Sequence, residues 1–214
     1  MTGASELGAP LPRSDDDLVT ELFERRAAPV SDFADQAGAV AAACHAMAVR
    51  FHRGGKLVVF GTGSSSTDAQ HVAVEFVHPV IVGKRALPAI SLTSDAATVT
   101  GIAEQAGLSA IFARQLPYLA EPADIALGLC ADGNSPAVLA GLMTAAEMGM
   151  LTIALTGGGG GAIAASPAVD HVFIASSTDP RVVKEVHVTG YHVLWELVHV
   201  CFEQPGVLSP GVMG

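Results

Sequence analysis

Three short apolar runs, 56-KLVVFG-61, 123-ADIALGLC-130 and 150-MLTIALTG-157, each end in a cluster of glycine, serine or other small residues. A strand that is buried on both faces needs an almost unbroken apolar run, because neither face meets water. Helical patterns separate these runs, at 66–78, 94–104, 108–116, 135–149 and 180–203. Two further short runs, 88-PAISL-92 and 170-DHVFIA-175, complete the rhythm. Strands alternating with helices demand parallel pairing with helical cover. The expected fold is therefore α/β: a doubly wound five-stranded parallel sheet with helices on both faces. From Leu18 to Arg53 apolar residues recur at helical spacing, with Pro29 between two halves and Gly54–Gly55 as the stop. That predicts two N-terminal flanking helices. The expected organisation is a disordered tail over 1–17, a single domain over 18–204 and a C-terminal tail over 205–214.

In such sheets ligands sit beyond the carboxyl ends of the strands. Three strand ends here, 61-GTGSSS-66, 130-CADGNS-135 and 156-TGGGGG-161, are rich in small or polar residues and are expected on one edge. The first combines glycines, which allow close approach of backbone to ligand, with Ser64, Ser65 and Ser66 as hydroxyl donors and a helix start behind them. An anion, most naturally a phosphate, suits it. Thr62, Gly63 and the three serines are its candidate contacts. Ser135 caps the next helix, with Pro136 in its first turn, and can add a second hydroxyl. Asp132 opposes a phosphate, since like charges repel. The first turn is not GxGxxG, because residue 66 is serine, nor a Walker loop, so no nucleotide cofactor is expected.

His71 and Glu75 stand at i, i+4 on the helix after that turn, so they share a face. The pair suits a metal or a general base, and it also suits a plain helix-surface hydrogen bond. On the last helix, 184-KEVHVTGYHVLWELVHV-200, His192 lies nearer the strand edge, while His199 sits in an apolar run as a packed polar spacer.

Eleven Lys and Arg against 21 Asp and Glu give a net charge of −10, which argues against a nucleic-acid surface. Half the residues are apolar and 15% charged, as suits a subunit that hides surface against copies of itself. Cys44, Cys130 and Cys201 are far apart and read as reduced thiols. The first residues lack an apolar leader, and the uncharged run 148–169 is broken by five glycines and Pro167. A cytoplasmic protein without a membrane span is expected.

The order 61-GTGSSSTDAQHVAVEF-76, 133-GNS-135, 156-TGGGGG-161 and 184-KEVHVTGYH-192 resembles the sugar isomerase (SIS) domain over roughly residues 30–204. Within that group it is most similar to phosphoheptose isomerases and to their non-catalytic relative, the DnaA initiator-associating protein. The resemblance implies an aldose–ketose isomerase that converts sedoheptulose 7-phosphate to a heptose 7-phosphate through an enediol. It further implies Glu75 as base, His192 as acid, and a homotetramer or dimer with sites between subunits. His71, Glu75 and His192 are the implied ligands of a zinc ion. Retention of the Glu75 and His192 pair favours an enzyme over a sugar-phosphate-binding regulatory or assembly protein, the alternative that the resemblance leaves open. The chain departs from the family in three places. Cys130, Ala131 and Asp132 replace a Ser-Thr-Ser phosphate loop, Glu104 and Gln105 replace an Asn-Asp pair, and Lys184 replaces a glutamine that contacts substrate or metal. Asp132 and Lys184 are carried as substrate-site candidates, Lys184 either neutralising Asp132 or gripping the phosphate.

Overall fold

The computed structural model describes residues 14–204 and Leu208. Two helices lead, α1 (Asp15–Ala34) and α2 (Ala37–His52). Then follow β1 (Leu57–Gly61), α3 (Ser64–Val77), β2 (Ala89–Ser91), α4 (Ala96–Ala106), α5 (Leu116–Leu119), β3 (Ile125–Cys130), α6 (Pro136–Glu147), β4 (Leu151–Gly157), α7 (Gly161–Ala164), β5 (His171–Ala175) and α8 (Pro180–Glu203). The five strands form one parallel sheet in the order β2-β1-β3-β4-β5. Every residue of β1, β3 and β4 is buried, which is why those runs carry no charge.

Alternate strand residues feed two cores. Leu57, Val59, Leu127, Ile153 and Phe173 pack with α2, α3 and α8. Val58, Phe60, Ala126 and Ala154 face the other way, against α6 and the 111–116 segment. The sheet is thus doubly wound, as the strand–helix alternation requires.

Three local readings differ from the sequence expectation. The helix α1 begins at Asp15, three residues inside the segment read as tail: Ser14 and Asp17 form a capping box, and Asp15, Asp16 and Asp17 sit in the first turn, where the helix dipole favours negative charge. The tail proper, 1–13, and all of 205–214 but Leu208 lie outside the described residues. Pro29 does not separate the helices; α1 runs through it, and Phe33 is seated edge-on against Phe173. Gly190 of α8 makes room for that ring, since a Cβ there would stand 2.8 Å from it. The break comes at Gln36, whose amide accepts from Ile174 N–H at 3.1 Å and donates to Ile174 C=O at 2.9 Å. A side chain thereby supplies a rung on the outer margin of edge strand β5. Lastly, 108–116 is not one helix. Gly107, at φ +85°, ends α4, a 3₁₀ turn covers Leu108–Ala110, and only Leu116–Leu119 is α-helical. Ile111, Phe112 and Leu116 are buried all the same, so core-facing spacing imitated a helical stripe.

Among the described residues no helix is long and apolar enough to cross a membrane.

Candidate active site

The three small-residue loops do open on one edge, because β1, β3 and β4 are neighbours and parallel. The first two meet at Thr62 Oγ1 and Ser135 Oγ, 3.2 Å apart. The second and third interlock through backbone. Ile163 N–H donates to Gly133 C=O at 3.0 Å, and Ala162 N–H donates to Asn134 Oδ1 at 3.1 Å. Gly133 has φ +72°, and a Cβ there would lie 2.0 Å from Gly160 C=O, so only glycine serves.

The start of α3 differs from those of the three later long helices α4, α6 and α8. Asp95, Ser135 and Asp179 cap α4, α6 and α8, but α3 has no side-chain cap, and its N-cap is Gly63 at φ +60°. A helix start left uncapped keeps N–H groups and positive dipole available to an anion. The three serines divide: Ser64 is exposed, Ser65 is turned into the core, and Ser66 Oγ donates to Gly63 C=O at 2.7 Å. A cavity of about 250 Å³ lies beside this turn, with Gly61, Thr62, Gly63, Ser66 and Thr93 on one wall and Val99, Leu108, Ile111 and Phe112 on the other. Neither Glu75 nor His192 lines it.

Those two residues meet toward the far end of α3, where it packs on α8. The ligating atoms of His71, Glu75 and His192 all lie within 4.8 Å of one another. Two residues 117 positions apart (192 − 75) thus converge within one chain. Glu75 is buried, with His71 Nε2 3.1 Å from its Oε1 and Trp195 Nε1–H donating to its main-chain oxygen at 2.9 Å. His71 Nδ1 is 2.8 Å from the Tyr191 hydroxyl. Burial is the main force pushing the Tyr191 phenol up, with the carboxylates of Asp68 and Glu75 adding to it, so the hydroxyl keeps its proton.

Lys184 lies one rung toward the turn. Its ammonium donates to Asp68 Oδ1 at 2.5 Å, Ser64 C=O at 3.0 Å and Thr67 Oγ1 at 3.1 Å. Its charge is taken up by Asp68, not by Asp132. Asp132 instead closes its own loop: Asn134 N–H donates to Oδ1 at 2.9 Å and the Cys130 thiol donates at 3.3 Å. The hydrogen bond from Asn134, then that from Cys130, holds the Asp132 carboxyl below the usual range. Burial pushes the Cys130 thiol up, so it stays a neutral donor. Glu104 and Gln105 are exposed on α4. His199 is a core residue as read, its ring nitrogens 2.8 Å from Trp195 C=O and 2.9 Å from Arg85 C=O.

Sequence reasoning missed Asp68, Tyr191 and Trp195. Asp68, His71 and Glu75 follow i, i+3, i+7 spacing, which was the available signal for the first. Tyr191 and Trp195 act across the helix pair, and nothing in local spacing marks them.

The donor set suits a divalent cation. Two imidazoles and a carboxylate are ligands that zinc takes, and His71 has an outer partner in Tyr191. Ligand atoms around zinc stand about 3.3 Å apart, so the three need only draw together slightly. Lys184 adds no fourth donor, because a protonated ammonium has no lone pair.

A doubly wound sheet that pairs a carboxylate with an imidazole between α3 and α8 and leaves the start of α3 uncapped fits a sugar-phosphate isomerase class of domain. The SIS domain profile matches residues 23–157. The chain is 39% identical over 194 residues to the phosphoheptose isomerase of Solidesulfovibrio magneticus, covering 90% of this chain and 94% of that protein. The solved phosphoheptose isomerase of Francisella tularensis is 32% identical, with a TM-score of 0.77 over 87% of this chain and 98% of that one. That of Neisseria gonorrhoeae is 26% identical, with a TM-score of 0.78 over 86% and 98%. The chain belongs to the SIS domain family, among its phosphoheptose isomerases.

Proposed function

We propose that the protein interconverts a ketose phosphate and an aldose phosphate, sedoheptulose 7-phosphate and its heptose 7-phosphate being the leading pair. The observation that carries this is the convergence of Glu75 and His192 where α3 packs on α8. An aldose–ketose shift needs a base to take a proton from the carbon next to the carbonyl and an acid to protonate the carbonyl oxygen. Glu75 is the base and His192 the acid. The product of that exchange is an enediol, and reversing the two roles on the neighbouring carbon and oxygen completes the reaction. Trp195 fixes the backbone of Glu75. Thr62, Gly63, Ser64 and Ser66 with Ser135 hold the phosphate at the α3 N-terminus. Ser65, facing the core, supports the turn. Lys184 serves by bracing the same turn through Ser64 and Thr67. Asp132, kept ionised, belongs with sugar hydroxyls. His71, Glu75 and His192 are the residues that would hold zinc, which when bound supplies polarisation of the carbonyl oxygen.

Leu18, Val19, Leu22 and Phe23 are exposed on α1, which supports assembly of this chain with copies of itself. Light scattering at working concentration reads that directly.

The test of function is incubation with sedoheptulose 7-phosphate and related ketose phosphates, with product resolved from substrate. Turnover that disappears in Glu75→Gln supports the reading. Thermal stabilisation by the sugar phosphates without product from any of them rejects catalysis and leaves a binding protein.

A further inference from the structure

Tyr191 precedes His192 in the chain but serves a different residue. Its ring is buried, edge-on to His71 with centroids 5.5 Å apart and tilted on His192 at 4.9 Å. Its hydroxyl reaches Nδ1 of His71 at 2.8 Å, while the other ring nitrogen of His71 faces Glu75 at 3.1 Å. The imidazole is thus gripped at both ends. It needs the grip, since 43% of its side chain is open to solvent and a half-exposed side chain has several staggered rotamers within reach. With the hydroxyl gone, a single hydrogen bond would remain, and the ring could swing outward about it.

The choice of partner also matters. A phenol hydroxyl both donates and accepts, whereas a carbonyl only accepts and an ammonium only donates. It can serve Nδ1 when Nε2–H is offered to Glu75. It can equally accept from Nδ1–H when Nε2 offers its lone pair to a cation.

We propose that Tyr191 is the positioning residue for His71, presenting Nε2 to Glu75 and His192 and thereby setting the affinity of these three side chains for a divalent cation such as Zn²⁺. It touches no substrate and does its work through the ring it holds. Its importance to catalysis rests on the isomerase reading above; its effect on cation binding does not.

The experiment uses the full chain, Zn²⁺ as the probe and a chromophoric chelator in competition. Tyr191→Phe keeps the buried ring and deletes only the oxygen. Cys44→Ala removes another hydrogen bond onto α8, from the Cys44 thiol to Leu194 C=O at 3.8 Å, and controls for general loosening of that helix. Tyr191→Phe should bind Zn²⁺ about 10–100-fold more weakly, as loss of an outer-shell partner does, with Cys44→Ala within about twofold of wild type. The imidazole ¹⁵N resonances of the metal-free protein give a second readout, with the hydrogen-bonded Nδ1 signal of His71 lost in Tyr191→Phe alone. Equal Zn²⁺ affinity in wild type and Tyr191→Phe overturns the proposal, and so does a wild type that does not bind Zn²⁺. A wild type that binds Zn²⁺ in this Tyr191-dependent way but turns over no sugar phosphate sinks the isomerase reading and leaves this one standing.

Discussion

Replacing Lys184 by methionine keeps most of the stem and removes the charge. What is left behind is the Asp68 carboxylate, whose side chain is 6% exposed, without its counter-charge, while Ser64 C=O and Thr67 Oγ1 keep their hydrogen bond to each other at 2.8 Å. Deleting one member of a buried ion pair costs about 3–5 kcal/mol, because the remaining charge is stranded. Lys184 itself is 36% exposed, so water can reach the carboxylate once the ammonium is gone, and the cost falls to about 2–3 kcal/mol. For a chain of this size each kcal/mol moves the midpoint by about 2–4 °C, so Lys184→Met should melt about 4–12 °C lower. Pairing it with Asp68→Leu should recover most of that loss, since an apolar pair strands no charge. Urea and thermal unfolding of both single variants and the double variant give the coupling energy. If Lys184→Met lies within about 0.5 kcal/mol of wild type, beyond which surface changes rarely go, or the double variant is no better than Lys184→Met, the argument that Asp68 and Lys184 form one buried unit is refuted.

Glu75→Gln should lower kcat by roughly 10²–10⁴-fold, the range for loss of a general base, with a smaller change in KM. Gly133→Ala should raise KM for the sugar phosphate and lower the melting temperature, because its methyl group would collide with Gly160 C=O and prise two loops apart; unchanged values of both would contradict the interlock. His187 gives a pH dependence. It is buried against Thr156 C=O at 3.0 Å, and burial, opposed by that hydrogen bond, lowers its pKa from 6.5. The unfolded chain therefore binds this proton first. Stability is full above pH 6.5 and declines below it until the folded pKa is reached, by at most about 1.4 kcal/mol per pH unit. His187→Asn should flatten that acid limb in a melting-temperature series.

How far the chain can be read unaided depends on the range over which its signals act. Strands β1, β3 and β4 were legible because burial on both faces leaves no room for a charged residue, the polar exceptions being Thr152 and Thr156, whose hydroxyls are hydrogen-bonded. The glycine- and serine-rich turn at 61–66 and the His71 and Glu75 pair were legible because their parts are neighbours in sequence. His192 took a resemblance to connect. The ion pair of Asp68 with Lys184 spans 116 positions and exists only because α3 packs on α8. The run through Pro29 was hidden for a related reason: a local rule for breaking helices was outweighed by the packing of Phe33 between α8 and β5. Periodicity likewise failed at 108–116, where it reports which residues face inward and not the path that brings them there.

The amide of Gln36 acts as a stopper. Strands at the flank of a sheet invite pairing by foreign backbone, the first step toward runaway fibrils. Here Ile174 already has both its amide hydrogen and its carbonyl oxygen answered from the α1–α2 junction. Copies of the chain that met along β5 would have to evict Gln36 first, so that flank of the sheet is guarded against growth by added strands.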